Sequence, residues 1–347
     1  MAEKESDLLC IGNALVDVFA RDEGQLAGRF GILNPVQHIE IGRLNEVLSA
    51  LTEKTVVSGG GAANVAKIAA FLGLKTCFTG AIGARNTNEP HHDFVPDRFG
   101  GLFNHSLSEA GVSLKLSLKS SPTGIFLMLQ IPGSDLSDKG KTRIIASPSA
   151  ACELSEADID EEDIRNAGIV VIDGFMWDRP HLIRHIFKQA DRYGKVCALD
   201  LGSTFIAEEH SAEIAEYACQ HSLILFMNEA EAHAFHKAQG FPGDLYGFFS
   251  SLTGGRSFPV FVVKLGERGA MCFAKGQIIH AETEAVVPRE VTGAGDAFCA
   301  GFLSAWVRNK SIPECADIGN RTARIVLDGM GTQADRDHFK KIAARIK

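Results

Sequence analysis

Near the C-terminal end of the chain, Val291-Thr292-Gly293-Ala294-Gly295-Asp296-Ala297-Phe298 sets an aspartate directly behind a glycine-rich turn. A helical pattern follows, because Phe298, Gly301, Phe302 and Ala305 recur at the spacing of one helix face. A turn of this kind aims several backbone N–H groups and the positive end of the helix dipole at one point, an arrangement that holds an anion. Asp296 falls in the first helical turn, where the dipole favours the ionised carboxylate, so it is a candidate base beside a candidate anion site. Taken alone, the stretch reads equally well as a tight helix entry whose aspartate satisfies N-terminal amides.

A second glycine-rich entry lies upstream, Ser58-Gly59-Gly60-Gly61-Ala62-Ala63-Asn64. Val65, Ile68, Ala69 and Leu72 share one face of the helix that follows, and Gly73 ends it. Three glycines let a ligand approach the backbone closely, and Asn64 in the first turn supplies a specific polar group. Asp17 interrupts the apolar run Ala14-Leu15-Val16-Asp17-Val18-Phe19-Ala20. A carboxylate there is costly without partners, so it either binds ligand hydroxyls or lies on the open face of an edge strand.

From residue 155 onward, apolar strands alternate with amphipathic helices. The strands are Gly168-Ile169-Val170-Val171-Ile172, Val196-Cys197-Ala198-Leu199, Leu223-Ile224-Leu225-Phe226 and Val260-Phe261-Val262-Val263. Such continuous apolar strands predict a parallel sheet covered on both faces, with Leu8-Leu9-Cys10-Ile11 as a further short strand. Polar residues end the strands: Asp173, Asp200, Asn228, and Lys264 with Gly266. Open α/β sheets bind ligands at that edge. Between residues 112 and 151 the texture turns to β, with Leu114, Leu116 and Leu118 alternating with polar residues and residues 124–131 apolar on both faces. The resulting division is an α/β domain of residues 1–12, 46–111 and 150–347, and a small β-sheet of residues 13–45 and 112–149.

Composition narrows the function classes. The chain of 347 residues is 45% hydrophobic and 22% charged, with a net charge of −8 and no basic run, which argues against a nucleic-acid partner. Eight scattered cysteines without a Cys-x-x-Cys pair, a polar N-terminus and no long apolar stretch predict a reduced, soluble, cytoplasmic protein without a membrane partner. The glycine pairs lack the third glycine of a dinucleotide fingerprint, and neither a P-loop nor a Gly-x-Ser-x-Gly elbow occurs. His91-His92 reads as a solvated pair on a surface loop, His181/His185 has helical metal-pair spacing but no evident third ligand, and His233/His236 reads as surface residues.

What survives is an ordered set: Gly12-Asn13 with Asp17, the triple glycine with Asn64, Asn228-x-x-Glu231, and Thr292-Gly293-Ala294-Gly295-Asp296. In this order and rough separation the set resembles the PfkB carbohydrate kinase family over nearly the whole chain, in its adenosine kinase-like subgroup. The resemblance implies a ribokinase-like α/β fold, with a mostly parallel sheet between helices and a β-sheet lid. It implies transfer of the ATP γ-phosphoryl group to a ribosyl hydroxyl, with Asp296 as base and the amides of Gly293, Ala294 and Gly295 as anion hole. Asn13, Asp17, Gly60, Gly61 and Asn64 would bind the sugar, and Phe126 and Met128 of the lid would cover a base. Asn228 and Glu231 would organise Mg²⁺ through water, while Lys264, Gly266, Thr292 and Asn320 would line the nucleotide site. The lid could also serve as a homodimer seam or simply as core, with a monomer as the other state.

Two departures from the family pattern stand out. Glu290-Val291 replaces the usual Asp-Thr beside the monovalent-cation site of many members, which weighs against a potassium requirement. Residues 86–96 read as an inserted polar loop. The acceptor expected is a nucleoside, with a free sugar such as ribose or fructose as alternative; a catalytically silent sugar- or nucleotide-binding regulator is the reading from another class.

Overall fold

The computed structural model describes residues 5–22, 26–32, 34–85, 95–131, 142–254, 258–288, 291–328 and 336–346. The expected insertion at 86–96 and its His91-His92 pair fall almost wholly outside these residues, as does Glu290. In chain order the strands are β1 (Ser6–Ile11), β2 (Leu15–Arg21), β3 (Val36–His38), β4 (Lys54–Gly59), β5 (Thr76–Gly83), β6 (Ser113–Lys119) and β7 (Gly124–Gln130). They continue with β8 (Thr142–Ser147), β9 (Ala167–Asp173), β10 (Val196–Asp200), β11 (Leu223–Asn228), β12 (Val260–Lys264), β13 (Ala270–Ala274) and β14 (Gln277–Ala281).

Nine strands form one sheet in the order β14-β13-β12-β11-β10-β9-β1-β5-β6. From β12 across to β6 every pairing is parallel, and β13 and β14 continue the sheet as an antiparallel hairpin. Both faces are covered, which is why these strands are apolar throughout. Leu8, Cys10, Ile169, Val171, Ile224 and Val262 pack on one side with the helices Gly61–Phe71, Ala294–Trp306 and Ile312–Asp328. Their neighbours Leu9, Ile11, Val170, Ile172, Leu225 and Val263 pack on the other, against helices that include Pro180–Arg192 and Glu229–Ala238.

The second sheet has five strands in the order β3-β8-β7-β2-β4. Val16, Val18, Ile125, Leu127, Leu129 and Ile145 face a core closed by Leu44, Val47 and Leu48 of the helix Ile41–Ala50. The alternate residues, among them Asp17, Phe19, Phe126 and Met128, are in register with one another on the opposite face. Sheet membership differs from the expected division at two strands. Lys54–Gly59 belongs to the smaller sheet and Ser113–Lys119 to the larger one, beside β5. The alternation of Leu114, Leu116 and Leu118 fits an edge strand of either sheet, and their packing against the large core decides it. Among the described residues no helix is long and apolar enough to cross a membrane, and all eight cysteines are free thiols.

Candidate active site

Strand order reverses at β1, whose neighbours are β5 on one side and β9 on the other. The crevice outside the carboxyl ends of β1 and β9 is therefore the place where an open α/β sheet receives a ligand. Gly12 and Asn13 leave β1 at this point. Asp173 ends β9 in register with Asp200 on β10, and Asn228 and Lys264 are in register at the ends of β11 and β12. The elements crowd here: a Cβ on Gly12 would lie 2.8 Å from those of Ala62 and Asp173.

Both glycine-rich turns open into this crevice. Gly60, at φ 99°, heads the helix Gly61–Phe71, and a Cβ on it would lie 2.1 Å from the carbonyl oxygen of Asn13, so only glycine fits. Gly293, at φ 79°, heads the helix Ala294–Trp306, in which Gly295 and Asp296 occupy the first turn. Asn64 Nδ2 donates to Asp296 Oδ2 at 2.8 Å, tying the first turns of the two helices together. Burial of the Asp296 carboxylate pushes its pKa up to about 7; the Asn64 hydrogen bond and Lys264 oppose the rise, and Asp200 and Asp173 add to it. The dipole was expected to favour the ionised carboxylate; the pKa is instead raised, with burial the largest cause. A base with that proton affinity is well matched to work near neutral pH.

Asp173 is raised to about 6, by burial first and by Asp200, against hydrogen bonds from the backbone of Phe175 and Asn13. A cavity of about 50 Å³ lies among Gly61, Asp173, Phe175, Asp200, Asp296 and Cys299. Asn13 is buried, and its side-chain oxygen accepts from Arg179 Nη2 at 2.6 Å.

Asp17 approaches from the smaller sheet. It is buried, no hydrogen bond reaches its carboxylate among the described residues, and burial alone lifts its pKa to about 7. A Cβ on Gly59 would lie 2.4 Å from the carboxylate, so this glycine makes room for it. On the same face, Met128 Sδ accepts from Thr292 Oγ1 at 3.7 Å. The face that carries Asp17, Phe126 and Met128 thus reaches the turn ahead of Asp296.

The residues expected around a nucleotide divide. Asn228 and Glu231 form a closed box: Nδ2 and backbone N of Asn228 donate to Oε1 and Oε2 of Glu231 at 2.6 and 2.8 Å, and Glu231 N donates back to Oδ1 at 2.9 Å. Each oxygen of Glu231 thus already accepts one hydrogen bond. Gly266, at φ 63°, faces open space at the start of a short 3₁₀ turn. Asn320 is buried and its Nδ2 donates to the carbonyls of Ala281 and Glu282 at 3.0 and 3.3 Å, bracing β14. Lys264 turns inward to Asp200.

Sequence reasoning placed Asp173 and Asp200 at strand ends but gave them no role, although both line the cavity. Phe175 falls in the stretch Asp173-Gly174-Phe175-Met176-Trp177-Asp178, whose resemblance to adenosine kinases was the one signal for it, while Arg179 and Cys299 carried none, since their place depends on how a loop and a helix turn meet.

The pfkB family carbohydrate kinase pattern matches residues 6–338. A ribokinase of Arabidopsis thaliana is 27% identical over 91% of this chain and 80% of its own length. Adenosine kinase 2 of the same plant is 25% identical over 93% of this chain and 94% of its own. Adenosine kinase from Sinorhizobium meliloti has the same fold, with a TM-score of 0.81 at 24% identity, over 99% of this chain and 100% of that one. Schistosoma mansoni adenosine kinase, solved with adenosine, superposes with a TM-score of 0.81 at 18% identity over 97% and 99%. The chain therefore has the ribokinase-like fold and belongs to the pfkB family of carbohydrate kinases, as a sugar or nucleoside kinase.

Proposed function

We propose that this protein transfers the γ-phosphoryl group of ATP to the primary hydroxyl of a ribosyl substrate, preferably a nucleoside such as adenosine. The observation that carries the reading is the Asn64–Asp296 hydrogen bond, which brings a base of near-neutral pKa to the anion-holding turn and to the sugar-side glycines. Asp296 takes the proton of the attacking hydroxyl. The amides at residues 293–295 receive the charge of the transferring group, which a loose phosphoryl-transfer transition state needs more than a strong base. Asp17, with its acceptors unspent, binds sugar hydroxyls together with the backbone at Gly60 and Gly61. Mg²⁺ bound with the triphosphate would neutralise its charge, and Asn228 and Glu231 would hold it through water. Closure of the smaller sheet excludes water that would otherwise hydrolyse ATP.

Phe175 favours a nucleoside: its ring lines the cavity yet is 47% exposed, offering a face for a base to stack on. Asp173, a second raised carboxylate at the cavity, favours a free sugar such as ribose, whose additional hydroxyl it would accept.

An ADP-release screen with Mg²⁺-ATP over adenosine, guanosine, inosine, cytidine, ribose and fructose tests the reading. Turnover is expected with a nucleoside, and Asp296→Asn is expected to abolish it while ATP binding persists. Turnover with sugars alone would transfer the assignment to a sugar kinase. Silence across the panel would remove both acceptor classes, and activity in Asp296→Asn would remove the assigned base.

A further inference from the structure

Lys264 ends β12 beneath the turn at residues 293–295. Its Nζ donates to both oxygens of Asp200, at 2.8 and 2.6 Å, and lies 4.0 Å from Cys299 Sγ. The Cys299 thiol donates to Asp200 Oδ2 at 3.3 Å. A Cβ built on Gly295 would lie 3.1 Å from the ammonium, so the cation rests against the backbone of the residue that precedes Asp296. We propose that Lys264 and Asp200 form a positioning pair for phosphoryl transfer, in which a buried cation held by Asp200 seats the Gly295 backbone and, with its partner, sets the proton affinity of Asp296.

Asp173, Asp200 and Asp296 line a single cavity, and carboxylates that share a site suppress one another's ionisation. The groups that face Asp296 are Asn64 from the helix Gly61–Phe71, Asp173 from β9, Asp200 from β10, Lys264 from β12 and Cys299 on its own helix. Arg179 bonds with Asn13, Ala151 and Asp178 and acts on Asp173. Lys264 is the cation that acts on Asp296. Burial works against its charge, but Asp200, Cys299 and Glu231 more than offset this and raise its pKa, so it stays protonated wherever the enzyme works. The two members of the pair act on Asp296 with opposite signs: Lys264 favours the ionised base and Asp200 disfavours it.

This inference rests on the reading of Asp296 as the base. Its test is the pH dependence of kcat at saturating substrate for Lys264→Met, Asp200→Asn and the double variant, using the acceptor that the screen identifies. Removing the cation raises the pKa of Asp296, so the acid limb of Lys264→Met should move to higher pH by roughly one unit. Removing the neighbouring anion should move the limb of Asp200→Asn to lower pH, and the double variant should return close to the parent. A purely structural pair would lower kcat in both single variants without opposed limbs, and limbs that move together or stay in place overturn the proposal. If Lys264→Met does not fold, the near-isosteric Asp200→Asn decides alone: a downward limb supports the pair, and an unmoved or upward one refutes it. An inactive Asp296→Asn with unmoved limbs removes the pair and leaves the base. An active Asp296→Asn removes the base itself.

Discussion

Replacing Asp17 with asparagine should make the protein more stable and less able to hold its substrate. The carboxylate is buried, accepts no hydrogen bond among the described residues, and has its pKa lifted from 3.8 to about 7 by burial alone. A carboxyl group whose folded pKa is raised binds its proton more tightly in the folded chain. Its cost is absent below pH 3.8, grows as pH rises towards 7, and is complete above that. A rise of about three pH units at 1.36 kcal/mol each sets an upper bound of about 4 kcal/mol at pH 8. Asparagine keeps the shape but carries its own desolvation cost, which leaves an expected gain of ~1–3 kcal/mol. Urea unfolding followed by circular dichroism at pH 4.5, 6 and 8 reads this directly. Between pH 4.5 and pH 8 Asp17→Asn should gain about 3 kcal/mol on the parent, starting level with it or slightly below, while the KM for the acceptor increases. A stability difference that does not change with pH, or a variant less stable at pH 8, would refute the account of Asp17 as an uncompensated charge kept for a ligand.

Two further substitutions probe the contacts of the helix that carries Asp296. Asn64→Leu removes the hydrogen bond that favours the ionised form of Asp296, so its pKa rises further. The activity deficit should be large at pH 6 and shrink by pH 8.5, whereas a deficit equal at both would show that Asn64 does not act through the base. Gly301→Ala places a methyl 2.4 Å from Thr322 Oγ1, itself bonded to the Ile318 carbonyl, where the helices Ala294–Trp306 and Ile312–Asp328 meet. Overpacking there should cost ~1–3 kcal/mol in urea unfolding, and an unchanged midpoint would mean that the helix pair yields freely.

The central sheet was legible because a strand covered on both faces must be apolar along its whole length, and because polar residues such as Asp173 and Asn228 close those runs. The two glycine turns were legible because their glycines cluster where a helical pattern begins, and the positive φ at Gly60 and Gly293 is what calls for glycine there. Sheet membership at the margins was not. Ser113–Lys119 shows the alternation of any edge strand, and only its packing with Phe78 and Phe103 in the large core assigns it. Nor could spacing reveal that Lys264 turns inward to Asp200, since both are simply polar ends of strands and their pairing is a matter of depth. The near-neutral pKa of Asp296 was hidden for the same reason: the helix dipole is visible in a sequence, and burial is not.

The hydrogen bond between Asn64 and Asp296 spans 232 positions along the chain. Closing so long a loop is an entropic cost that can be met only after both flanking regions have condensed. During synthesis β1 and β5 can pair early, but the other edge of β1 waits for β9, and Asp296 arrives only once the whole sheet has been made. With Asp296 as the proposed base, catalytic competence is then among the last properties the folding chain acquires. A chain cut short before the helix Ala294–Trp306 could keep much of its sheet and its ligand-side glycines while having no means of turnover.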